Sequence, residues 1–104
     1  MIRHTVIYKF KSNIPESNIA KIFNELSTLQ QHIEGVVSFH WGACIGSKEK
    51  SQGYTHMISV DLKDESVFRE YSPHPIHNAA REAMTPLLDN SLPLIMFDIV
   101  LQGV

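Results

Sequence analysis

Residues 36–62 read VVSFHWGACI, then GSKEKSQG, then YTHMISVDL. The first and third blocks alternate. Val37, Phe39, Trp41, Ala43 and Ile45 share one parity of Val36–Ile45, and Tyr54, His56, Ile58, Val60 and Leu62 share one parity of Tyr54–Leu62. A period of two is the pattern of a strand with one buried face. Gly46 to Gly53 between them is polar and bounded by glycines, so it returns the chain antiparallel. Two strands in succession, with helical patterns on either side, exclude a simple alternation of strand and helix.

Toward the N-terminus, Ile19, Ile22, Phe23, Leu26, Leu29 and Ile33 recur at steps of three and four, predicting a helix from Pro15 to a cap at Gly35. Ser12-Asn13-Ile14-Pro15 separates it from a first strand, where Ile2, His4, Val6, Tyr8 and Phe10 alternate with Arg3, Thr5, Lys9 and Lys11. Toward the C-terminus, Asp64 is placed to cap a short helix carrying Val67, Phe68 and Tyr71. Ser72-Pro73-His74-Pro75 interrupts it. Pro75 opens a further helix with Ile76, Ala79, Ala80, Ala83, Met84 and Leu87 inward, and Pro86 distorts its last turn. Leu92 to Leu101 is a fourth strand. The order β-α-β-β-α-β predicts an α+β, ferredoxin-like sandwich, an antiparallel sheet covered by helices on one face, in a single domain over residues 1–104.

The fourth strand is apolar on both parities, with Leu94, Met96 and Val100 on one and Ile95, Phe97, Ile99 and Leu101 on the other. Helices in a chain this short cover one face only. The second face therefore predicts sheet-on-sheet packing between two copies, a homodimer closing an α/β barrel.

Composition narrows the partners. Nine Lys and Arg against eleven Asp and Glu, without blocks, give a net charge of −2 and no basic stripe, so nucleic acid is not an expected partner. No apolar run approaches the roughly 20 residues that span a bilayer, so neither is a membrane. The single Cys44 has no internal partner for a disulfide, and Met1-Ile2-Arg3-His4 opens no signal-peptide pattern; a cytoplasmic location is expected.

Whole-chain features are similar to the stress-responsive A/B barrel, or Dabb, domain family. The resemblance is carried by Ile2-Arg3-His4 followed by Lys9-Phe10-Lys11, by Trp41-Gly42, by Gly53-Tyr54-Thr55-His56, and by Tyr71 followed by His74-Pro75-Ile76-His77. It implies a ferredoxin-like fold that dimerises through its sheets. It also implies two kinds of function, since the family includes heat-stable stress proteins and a plant polyketide cyclase that closes a linear tetraketide by aldol condensation. The cyclase's pocket histidines match His4 and His56, its tyrosine Tyr71, its general base His77, and the aspartate expected to hold that base Asp98. His74 matches the other histidine of the motif. A tyrosine on the cyclase's first helix is matched here by Leu26, which makes that wall apolar.

The residues themselves support acid–base chemistry. His4 and His56 lie at inward parity among Val6, Ile58 and Val60, where an imidazole must find hydrogen bonds. Tyr71 and His77 flank the helix break, and Asp98 is an acid in an apolar strand. A neutral imidazole takes a proton from carbon activated by carbonyls while a tyrosine hydroxyl steadies the oxyanion, and no cofactor is needed. Tyr8, Phe23 and Met96 at inward positions, with Val6 and Ile58, suit a small aromatic or polyketide-like carbonyl compound. The catalytic set is then His77, Tyr71 and Asp98, with Asp98 fixing the tautomer of His77. His74 and His77 at i, i+3 lack a third ligand, so no metal is expected, and Cys44 alone on a strand is no nucleophile. A second reading stands beside the enzyme: a non-catalytic, stable dimeric stress or scaffold protein in which the same polar residues only satisfy one another.

Overall fold

The computed structural model describes residues 1–103. Strands β1 (Ile2–Tyr8), β2 (Val36–Ala43), β3 (His56–Leu62) and β4 (Leu94–Val100) form one antiparallel sheet in the order β2-β3-β1-β4. Helices α1 (Glu16–Ser27), α2 (Leu29–His32), α4 (Glu65–Tyr71) and α5 (Pro75–Met84) accompany it, and α3 (Lys48–Ser51) is a single turn in the loop between β2 and β3. The α+β, ferredoxin-like arrangement read from the sequence is the one observed. Val6, Tyr8, Phe23, Leu26, Ile58, Val60 and Leu62 belong to one continuous core between the sheet and the helices.

Local chemistry sets the helix ends. Asp64 caps α4 by accepting from the N–H groups of Ser66 and Val67, and His74 caps α5 by accepting from that of Ile76 at 3.1 Å. That bond accounts for His74. Pro75 begins α5, and Pro86 falls in a 3₁₀ turn at Thr85–Leu87 that ends it. Gly35 adopts φ +98°, and a β-carbon there would lie 2.5 Å from Val67 Cγ2, so only glycine lets the chain pass under α4.

Three expectations about facing need correction. A bulge between Val36 and Ser38 buries Val36 and leaves Val37 exposed, which resets the inward parity only from Phe39 onward. Ile45 lies beyond the strand end in solvent. On α5 only Ala80 and Met84 are fully buried, while Ala79 and Ala83 are exposed, because the helix rests on the sheet along a narrower stripe. Among the described residues no element covers the other face of the sheet, which carries Ile7, Met57, Ile95, Phe97 and Ile99. Phe97 is 66% exposed there. Arg3 and Asp61, opposite each other on β1 and β3, form a two-pronged ion pair on the same face at 2.8 and 3.0 Å. The Arg3 guanidinium holds the Asp61 carboxyl below its usual range.

Candidate functional site

A cavity of about 110 Å³ lies between the sheet and α5, lined by His4, Val6 and Tyr8 of β1, Leu26 of α1, His77, Ala80, Arg81 and Met84 of α5, Thr85 and Leu88 beyond it, and Leu94 and Met96 of β4. It is smaller than the roughly 150 Å³ apolar cavity that admits benzene. Its wall at β4 is the sheet edge, where Met96 is 58% exposed.

The antiparallel register puts His4 opposite Asp98. Both side chains emerge on one face, and His4 Nδ1 donates to Asp98 Oδ1 at 2.5 Å. A carboxylate only accepts, so the bond fixes the proton on Nδ1 and leaves Nε2 of the neutral ring with a free lone pair. The imidazole is 4% exposed. Its ring meets Phe68 and Tyr71 edge-on, with centroids 5.1 and 5.6 Å away.

Tyr71 is 1% exposed and lies between two imidazoles, its ring centroid 5.6 Å from that of His4 and 5.2 Å from that of His77. Its hydroxyl is buried without a hydrogen-bond partner among the described residues. An orphaned buried donor costs about 1–3 kcal/mol. Burial also raises the phenol above its ordinary range, so the group stays protonated.

Across the cavity, Arg81 lies one helical turn after His77 and donates from Nη2 to His77 Nδ1 at 3.1 Å. Accepting at Nδ1 leaves the proton on Nε2. Burial first, then the Arg81 charge, then His4, lower the His77 pKa to about 4. The sign for stability follows. The unfolded ring takes up a proton near pH 6.5 and the folded ring only near pH 4, so stability is full above 6.5 and declines between these values. Because the ring is half-exposed, the loss is set at about 1–2 kcal/mol. Urea midpoints at pH 7 and pH 4.5 measure it, and His77→Gln is expected to flatten that part of the profile.

The pairing expected from sequence, Asp98 with His77, is therefore replaced by two pairs, Asp98 with His4 and Arg81 with His77. The cause is register: Asp98 faces His4 across adjacent strands, whereas His77 belongs to a helix whose next turn carries a closer donor. His4 and His56 share a sheet face but do not meet. His56 pairs with Tyr8, four positions along β1 from His4, which is roughly 13 Å of strand. There it lies 2.8 Å from Thr55 Oγ1 and 3.1 Å from both Glu16 oxygens. Its ring packs on Phe10 and Phe23. Phe23 and Ile58 are core residues, 0% and 2% exposed, and line no part of the cavity. Of the residues expected to bind ligand, His4, Val6, Tyr8 and Met96 are brought to it.

Arg81 was not among the candidates, although its i, i+4 spacing from His77 is visible in the sequence. Among the described residues no three His, Cys, Asp or Glu side chains converge as metal ligands. Among the described residues no helix is long and apolar enough to cross a membrane.

Known proteins share this architecture. The chain is 29% identical over 76 residues to olivetolic acid cyclase of Cannabis sativa, covering 73% of this chain and 75% of the cyclase. It is 28% identical, again over 76 residues, to stress-response A/B barrel domain-containing protein HS1 of Arabidopsis thaliana, covering 73% of this chain and 70% of that one. A dimeric ferredoxin-like protein of unknown function from Thermobifida fusca superposes with a TM-score of 0.78 at 25% identity, over 96% of this chain and 90% of its own. The sequence profile of the stress responsive A/B barrel domain, Dabb, matches residues 2–100, and with nearly every position inside that match the chain belongs to this family.

Proposed function

We propose that the cavity receives the carbonyl end of a small aromatic or polyketide-like compound and that the protein moves a proton on it without a cofactor, as a cyclase or lyase does. The observation that carries this reading is the Tyr71 hydroxyl, buried and unpartnered among the described residues, on a ring that packs edge-on against those of both His4 and His77. A ligand oxygen reaching between the two rings supplies the missing partner. His4, held by Asp98, takes a proton from the carbon beside the carbonyl through Nε2, the electron pair moves onto the carbonyl oxygen, and Tyr71 donates a hydrogen bond to the oxyanion. His77 is a donor in this scheme, because Arg81 occupies its Nδ1. The likeness to olivetolic acid cyclase supports the reading.

The working unit of the proposal is a homodimer joined through the uncovered sheet face, as the dimeric Thermobifida fusca relative suggests. A second reading, a stable non-catalytic stress or scaffold dimer, is favoured by the small size of the cavity and by the likeness to the Arabidopsis stress-response protein. Aryl methyl ketones in D₂O separate the two. An enzyme is expected to melt at temperatures that rise with ketone concentration and to exchange the methyl hydrogens of the ketone above the buffer rate, as NMR records. The scaffold reading holds if neither effect occurs at millimolar ketone.

A further inference from the structure

We propose that the ligand of this cavity carries an anionic group, a carboxylate in the simplest case, held at the rim by Arg81 together with Nε2–H of His77. The inference rests on the cavity being a ligand site, as proposed above, and adds the charge of what enters it. Arg81 lines an otherwise mostly apolar cavity bounded by Val6, Leu26 and Met84. Among the described residues no carboxylate lies within 4.0 Å of its guanidinium. By contrast, Arg3 and Arg69 each have an acidic partner. Among the described residues the one side-chain hydrogen bond of the Arg81 guanidinium goes to an imidazole nitrogen, which uses one of its five donors.

That contact organises both side chains toward an anion. By donating to Nδ1, Arg81 leaves His77 with its proton on Nε2, so the pair offers N–H groups and no lone pair. A planar guanidinium presents two parallel donors, the geometry that a carboxylate accepts with both oxygens. The opposite wall has the reverse character, since His4 Nε2 is an acceptor once Nδ1 is committed to Asp98. The cavity thus has a donor rim on α5 and an acceptor on β1, with apolar side chains between. A neutral ketone turns its acidic α-carbon toward that acceptor and leaves the Arg81 charge unanswered. An acid whose apolar body also carries a ketone with an α-hydrogen answers both.

Benzoate and benzamide, alike in shape and different in charge, are the probes, with acetophenone as the neutral ketone. Titration calorimetry and melting shifts on the intact protein are expected to show benzoate bound at least tenfold more tightly than benzamide. Raising salt from about 20 to 150 mM weakens benzoate alone, because screening acts on the ion pair. R81Q is expected to remove the preference, and R81K, which keeps the charge and loses the two-pronged geometry, to retain part of it. Arg81 is exposed, so neither variant threatens the fold. Equal binding of benzoate and benzamide, or a preference that survives R81Q, overturns the inference while a bound acetophenone leaves the ligand site standing. Binding of benzoate without ketone exchange sustains the anion site and overturns the proton chemistry. If none of the three probes binds, both fall.

Discussion

Replacing His4 with alanine is expected to lower turnover of a carbonyl substrate by ~10²–10⁴, the contribution of a general base, with KM nearly unchanged. Asp98→Asn is the sharper variant. It preserves shape but presents an amide donor to Nδ1, which moves the ring proton to Nε2 and removes the lone pair from the reacting side. The rate is then lost although every side chain stays in place. Tyr71→Phe removes only the unpartnered hydroxyl, so it lowers turnover while stability holds or rises, because no existing hydrogen bond is broken. His77→Ala tests the assignment from the other direction: with the ring clamped by Arg81, its loss acts mainly on KM. Steady-state kinetics of the four variants, with melting curves beside them, decide the matter. A full-rate Asp98→Asn enzyme, or a kcat collapse in His77→Ala with His4→Ala unaffected, returns the base to His77.

The second large effect concerns assembly. Phe97→Asp is expected to convert a particle of about twice 11.8 kDa into one of 11.8 kDa by sedimentation at micromolar concentration. Phe97 is 66% exposed on a face that also presents Ile95 and Ile99, so in a single copy the aspartate would remain in water and the fold would persist. In a sheet-to-sheet dimer the same charge is buried without a partner, a cost of about 3–5 kcal/mol or more, and association weakens at least a hundredfold. Ala83→Asp, on the exposed side of α5, is the control and leaves the particle unchanged. Native protein that sediments as one copy at every concentration removes the dimer from the proposal.

How far the sequence reaches is visible residue by residue. Alternation placed His4, Val6, Tyr8, Ile58 and Val60 on the covered face because a strand's period is fixed by its pleat. The proline and aspartate signals at Asp64, Pro75 and Pro86 marked helix ends because their chemistry is local. Pairings across elements were not legible in the same way. That Asp98 meets His4 depends on the register between β1 and β4, two segments separated by nearly the whole chain, and nothing within either strand specifies it. The bulge at Val37 has the same character, since an extra residue in one strand is defined only against its partner. Arg81 is illegible for a different reason. Its relation to His77 is local, but its significance depends on the absence of an acid nearby, which only the folded chain displays.

The bond between His4 and Asp98 joins residues 94 positions apart, and β1, although interior to the sheet, has β4 as its outer neighbour. During synthesis β1 emerges early and then waits with one hydrogen-bonding edge open until residues 94–100 arrive. Such long-range pairing is slow to form, because the entropy of closing a large loop is met before the contact rewards it. The imidazole is therefore expected to receive its tautomer at the closing step of folding, when the late strand docks. An intermediate that has the β2–β3 hairpin and its helices, yet lacks β4, contains His4, Tyr71 and His77 but has no ordered base. Protection of the β1 amides on the β4 side and the appearance of the His4 Nδ1 proton in NMR should arise together in time, making the site a marker of completed folding.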